Sequence, residues 1–304
     1  MENAHHVFVY ILNMKRDRIY YFDYYKGLLI ILVVLGHIMP EDAFFHKYIY
    51  AWHMHAFFMV SGMLLKYTFR TDRKFFGKTG IIAHSIKKLI IPYYAYGLLL
   101  LIARWISSGM TLDNLRWQSI DLLSFCGIGA MWFLPCLFIA QLIYTWFRSV
   151  FDKLSGYCLH SEYLILFIKI SFAIILFVFA CILPHNNSIA LVTLRGAVAT
   201  SYCFIGDIAF DVITLIRKMR LKLVSVCALF IGVLSILVFK FTGENISAIN
   251  MLTFSNPFLF LLNSILGTIF GALIAAIIEK LKFPLIERAF LFYGKNSLII
   301  MGTH

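Results

Sequence analysis

The 304-residue chain is 61% hydrophobic and only 14% charged. Soluble domains run at roughly 45–50% apolar and about 25% charged, which excludes an ordinary soluble core and fits side chains that face lipid or pack between membrane-spanning helices. The 30 Phe and 16 Tyr suit the same environment, since aromatic rings settle at the bilayer interface. The net charge of +12 would suggest nucleic acid in a soluble protein. Here the cations fall in short loops between apolar runs, so nucleic acid is set aside as a partner and topology control is read instead. The six cysteines form no CxxC pair and no metal-ligand spacing, so neither a disulfide framework nor a metal site is implied.

Taken in chain order, residues 1–19 read as a cytoplasmic N-terminal segment, with residues 20–304 forming one transmembrane domain. Val7–Leu12 is too short for a secretory apolar region. Met14, followed by Lys15, Arg16 and Arg18, makes a natural start, so residues 1–13 are expected to be an over-extended gene reading. A spanning helix needs about 20 mostly apolar residues. Nine candidate spans follow, near 20–39, 46–65, 85–106, 131–148, 162–183, 190–216, 221–240, 256–279 and 286–304, giving an all-α polytopic bundle.

The first span carries Asp23, Lys26 and His37. At about 100° per residue, the 11-residue separation of Lys26 and His37 returns to within ~20° of one face with a rise of roughly 16 Å. Ionisable groups within a spanning helix are costly and face protein or a water-filled cavity. This stripe has two readings: an interfacial ion pair plus a helix-end histidine, or a functional acid, base and imidazole. The second span reads Trp52-His53-Met54-His55, then Phe57-Phe58-Met59-Val60-Ser61-Gly62. His53 falls at the same depth as His37, and an imidazole near a substrate hydroxyl suits general-base work. His53 and His55 are two residues apart and point to different faces, which argues against a shared metal. Ser61-Gly62 reads equally as a helix-packing spot.

Between the second and third spans lie Arg70, Arg73, Lys74 and Lys78, then Lys87-Lys88 shortly before Pro92-Tyr93. These are topology charges, or a cytoplasmic site for a phosphorylated ligand, which Arg and Lys bind well. No Walker loop or dinucleotide glycine fingerprint is present. With a cytoplasmic N-terminus, the inner loops also hold Arg148, Lys153, Arg217, Lys218, Arg220, Lys222, Lys280, Lys282 and Arg288. The outer side holds Lys47, Arg104, Arg116 and Lys240. That asymmetry satisfies the positive-inside rule, and the opposite orientation would reverse it.

Together these residues resemble the membrane-bound acyltransferase 3 family, and within it the fucose 4-O-acetylase-like branch. The family motif of a basic residue, ten intervening positions and His is matched by Lys26 and His37. Its F-H-M-P-x-F-F-x-x-S-G helix is matched from Trp52 to Gly62, with His55 in place of the proline. Its basic stretch before Pro-Tyr is matched by Lys87, Lys88, Pro92 and Tyr93, and its W-F-L-P by Trp132 to Pro135. Its final G-x-N-S-L-x-I-x-x-x-H is matched from Gly294 to His304.

The resemblance implies a multi-pass inner-membrane O-acetyltransferase of bacterial type, with acetyl-CoA as cytoplasmic donor, no metal, and a glycan or glycolipid as acceptor. His37 would be the essential base or transient acyl carrier near the acceptor, with Lys26 as the paired basic residue nearer the donor and Asp23 and His53 as further catalytic-site residues. Arg70, Arg73, Lys87 and Lys88 would face the coenzyme A phosphates. The family has about ten spans and this chain nine, so either the natural protein ends at the membrane edge or a last helix is expected beyond His304. Two other readings share these features: a glycan or small-solute transporter or flippase, and an inactive, truncated acyltransferase homologue. Many transporters carry paired halves with broken helices, and no internal repeat is visible here.

Overall fold

The computed structural model describes residues 18–69, 80–108, 111–155, 162–241, 251–254 and 256–303, and every element in them is helical. In chain order these are α1 (Tyr20–Ile38), the short α2 (Phe44–Tyr50) and α3 (His53–Phe69). Next, α4 starts as Ile81–Ser85, passes through a π turn at Ile86–Ile90 and continues as Ile91–Ser108. They continue with α5 (Leu112–Leu123), a 3-10 turn at Gly129–Trp132, α6 (Phe133–Ser155), α7 (Glu162–Ile182) and α8 (Ser188–Lys218). Last come α9 (Leu221–Phe241), α10 (Pro257–Leu281), α11 (Pro284–Lys295) and α12 (Ser297–Thr303).

Among the described residues, seven helices are long and apolar enough to cross a membrane. They correspond to seven of the nine expected spans. The other two expected spans are interrupted. The one near 46–65 is divided between α2 and α3 at Ala51-Trp52, and the one near 286–304 is divided at Asn296. At the first, the Trp52 amide bonds to the Ile49 carbonyl three residues back, and its indole lies over Gly267 and Gly271 of α10, which have no side chain to keep it out. At the second, the Asn296 amide and side chain both donate to the Phe292 carbonyl at 3.1 and 2.8 Å, closing α11 before α12 starts. Asparagine competes in this way with helix propagation.

The spans differ in what they face. In α8, 72% of the apolar stretch is buried, against 17% in α7 and 22% in α9. Helix α8 is therefore the central strut, while α7 and α9 present leucine, isoleucine and phenylalanine to lipid. Asn187 caps α8, accepting from the Ala190 amide at 2.8 Å. Asn256 caps α10 with Pro257 in the first turn, where a missing N–H costs nothing.

Backbone contact at glycines sets the closest helix pairs. A Cβ at Gly62 of α3 would collide with the Cys203 backbone of α8, and one at Gly206 of α8 with the Met59 backbone of α3. The same reciprocity joins α1 and α11, where Gly27 lies on the Phe290 carbonyl and Gly294 on the Asp23 carbonyl. Small residues that let backbones touch are the usual device for helix association in lipid.

Polar ties then fix register. The Tyr21 hydroxyl donates to the Ala272 carbonyl at 2.8 Å and Tyr25 to Thr268 at 2.5 Å, both from α1 to α10. Tyr24 of α1 donates to Glu287 of α11 at 2.8 Å, and Arg217 of α8 pairs with Glu279 of α10 at 2.8 Å. The densest tie is on Asp207 of α8, which is fully buried. Its carboxylate receives Lys169 of α7 and Tyr144 of α6, each at 2.7 Å, with Lys66 of α3 at 3.5 Å. Four helices thus converge on one carboxylate.

Removing Asp207 strands the Lys169 ammonium in a low-dielectric setting, and breaking one side of a buried pair costs about 3–5 kcal/mol. Asp207→Ala is expected to lower the melting temperature of the detergent-solubilised protein sharply. Asp211→Ala, at a side chain 66% exposed, is expected to change it little, because exposed ion pairs contribute about 0–1 kcal/mol. Equal effects of the two substitutions would contradict the hub.

Candidate functional site

The residues singled out by sequence fall at the two ends of the α1 bundle. At the N-terminal end of α1, Asp23 is buried and held twice, by Arg18 at 2.6 Å and by Lys26 at 3.0 Å. The hydrogen bond to Asp23 raises the Arg18 guanidinium further above its already high ordinary value, so it stays charged. Asp23 is thus a double counter-ion, one carboxylate facing two cations.

An open cavity of about 390 Å³ begins at this cluster. Arg18, Asp23 and Lys26 line it from the α1 side, Leu64, Tyr67 and Thr68 from α3, and His84 and Lys88 from α4. Lys88 reaches it from the π turn. There the Ile91 amide bonds to Ile86, five residues back. Pro92 follows directly and has no N–H to continue the ordinary ladder. π turns of this kind recur at functional sites. Lys87 is exposed on the same turn but does not line the cavity. Arg70 and Arg73 lie outside the described residues, as does His304. The cavity therefore brings together Asp23, Lys26 and Lys88 and leaves Lys87 apart.

The other end of α1 carries His37, exposed, in an unbroken helix from Lys26, so the rise between them stays about 16 Å. His53 is buried at the start of α3, its Nδ1 2.7 Å from the Ile49 carbonyl. Both imidazoles meet one aromatic ring. Tyr50 is T-shaped to each, with ring centroids 6.1 Å from His37 and 5.0 Å from His53. His46 stacks on the same ring at 4.4 Å. His55, in the position of the family proline, is buried between Tyr202 and Phe260, and neither ring nitrogen has a hydrogen-bond partner.

Several residues of consequence were not singled out by sequence. Asp207 and Lys169 form the hub with Tyr144, and each is an isolated charge in an apolar span. That is a signal for a buried role, because such charges are expensive in lipid. Tyr50 and His46 gave no such signal, since aromatics are abundant at the membrane boundary. Among the described residues, no three His, Cys, Asp or Glu side chains group as a metal site.

The helical bundle, its apolar spans and its charged interior define a multi-pass membrane protein. A family model described as an acyltransferase domain matches residues 19–304, nearly the whole chain, so the protein belongs to the acyltransferase 3 family. It is a membrane acyltransferase that transfers groups other than amino-acyl groups. Comparison with curated proteins finds no match, and neither does comparison with solved structures.

The two ends of α1 make a separable prediction. In sealed vesicles, a membrane-impermeant maleimide is expected to label Lys88→Cys from one side and His37→Cys from the other. Labelling of both from one side would contradict a spanning α1.

Proposed function

We propose that the protein transfers acetyl from cytoplasmic acetyl-CoA to a hydroxyl of a cell-surface or lipid-linked glycan, in the manner of the fucose 4-O-acetylase-like branch. It would do so in the inner membrane of a bacterium, with its N-terminus in the cytoplasm. The observation that carries this reading is the single helix α1 linking a cation-lined cavity at one end to an exposed histidine at the other. Arg18, Lys26 and Lys88 are suited to phosphate oxygens, and Asp23 keeps two of these cations in place before a ligand arrives. The basic loops Arg217–Lys222 and Lys280–Arg288 lie at the same end of the bundle, which supports its assignment as cytoplasmic.

In this reading the coenzyme A phosphates sit at the cavity and the flexible pantetheine arm carries the thioester along α1. His37 takes the proton from the acceptor hydroxyl as its oxygen attacks the acetyl carbonyl. The C–O bond forms, the C–S bond breaks, and the coenzyme A thiolate leaves and is protonated. The reaction balances as acetyl-CoA plus alcohol giving acetyl ester plus free coenzyme A. His53 lies behind Tyr50 and supports the acceptor end, while Lys26 serves the donor.

Expression in cells that lack the native gene is expected to restore acetyl esters on surface polysaccharide. His37→Ala should lower O-acetylation by about a hundredfold or more, the usual contribution of a general base. Lys26→Ala and Lys88→Ala should raise the KM for acetyl-CoA by about tenfold, because a hydrogen bond to a charged group contributes about 1.5–3 kcal/mol. Unchanged acetylation in His37→Ala would overturn the assignment. Glycan movement with no ester formed would favour a transporter.

A further inference from the structure

Tyr50 meets three imidazoles. It ends α2, the short helix created by the break at Ala51-Trp52. Its ring meets His46 face to face at 4.4 Å and 19°, His53 edge-on at 5.0 Å and 74°, and His37 edge-on at 6.1 Å and 75°. Two of these histidines are fixed: His53 is buried with its Nδ1 on the Ile49 carbonyl, and His46 is buried. His37 is the exposed one.

The helix that carries His37 is shaped to admit this ring. Gly36, the residue before it, is buried in α1, and a Cβ there would lie 2.7 Å from the Tyr50 ring edge. Any larger residue at 36 would force the Tyr50 ring to shift from this position. The close approach of Gly36 therefore seats the Tyr50 ring beside His37, while His46 and His53 hold that ring from the other sides.

We propose that Tyr50 is a positioning residue for acyl transfer, its ring fixing the orientation of His37 against the buried pair His46 and His53. This rests on the reading of His37 as the reacting histidine. The ring, rather than the hydroxyl, does the positioning, since all three contacts are made by its face and edges. An imidazole that must accept a proton along one direction loses rate when its ring is displaced, and a misplacement of about 1 Å costs up to about a hundredfold.

The test uses the full chain in membranes from expressing cells, which supply the acceptor, with radiolabelled acetyl-CoA as donor and label in acid-stable, alkali-labile ester as readout. Tyr50→Ala is expected to lower the rate at saturating acetyl-CoA by about ten- to a hundredfold, with the KM for acetyl-CoA unchanged. Tyr50→Phe should restore most of that loss. Gly36→Ala, which displaces the ring without removing it, should lower the rate in the same sense and serves if Tyr50→Ala does not fold. In a His37→Ala background, Tyr50→Ala should cause no further loss.

Full activity in folded Tyr50→Ala or in Gly36→Ala, with His37→Ala inactive, would overturn the proposal. So would a Tyr50→Phe as inactive as Tyr50→Ala, or losses that multiply in the double variant. Activity retained in His37→Ala would instead overturn the reading of the catalytic histidine.

Discussion

Direct backbone contact between α3 and α8, made at Gly62 and Gly206, is the constraint from which much of the molecule follows. Lipid offers no hydrophobic driving force between helices, so close packing and polar bonds must hold them. Each glycine lies against the backbone of the partner helix, so neither can gain a side chain without separating the pair. Lys66 follows Gly62 by one turn, and Asp207 follows Gly206 directly. The crossing thus sets a lysine and a carboxylate 3.5 Å apart, and Lys169 and Tyr144 complete the tie from α7 and α6.

The same device acts on α1. Gly27 and Gly294 bring α11 against the backbone beside Asp23 and Lys26. The Arg18–Asp23–Lys26 cluster is therefore built on a helix packed backbone to backbone against α11, and Tyr24 to Glu287 ties the pair again. At the far end of α1, Gly36 gives way to Tyr50. One helix thus has glycines at two levels, each beside a residue of the candidate site, and each admitting a different neighbour. The rigid link between Lys26 and His37 follows from this anchoring.

Much of this was legible in the sequence. The composition and apolar run lengths gave the membrane bundle, and seven continuous spans fall where hydropathy put them. The face shared by Lys26 and His37 followed from helical geometry alone. The break at Trp52 did not show, because its indole packs on Gly267 and Gly271, more than 200 residues away, whereas the break at Asn296 is local, its amide bonding to the Phe292 carbonyl four residues back. The π turn that carries Lys88 to the cavity and leaves Lys87 outside it is likewise a matter of one residue's register near Pro92. The sequence left Asp23 as either a functional acid or an ion-pair partner of Lys26; the fold adds Arg18 as a second cation on the same carboxylate.

The proposed transfer puts the donor at the cavity and the acceptor at His37, on opposite ends of one spanning helix, and it requires acetyl to pass from one side of the membrane to the other. Sealed, oriented proteoliposomes carrying the purified protein test this most directly. Labelled acetyl-CoA is supplied only on the side of Lys88, and the glycan acceptor only on the side of His37. The expected result is labelled ester on the acceptor while the coenzyme A released stays on the donor side. Ester formed only when donor and acceptor share one compartment would contradict it.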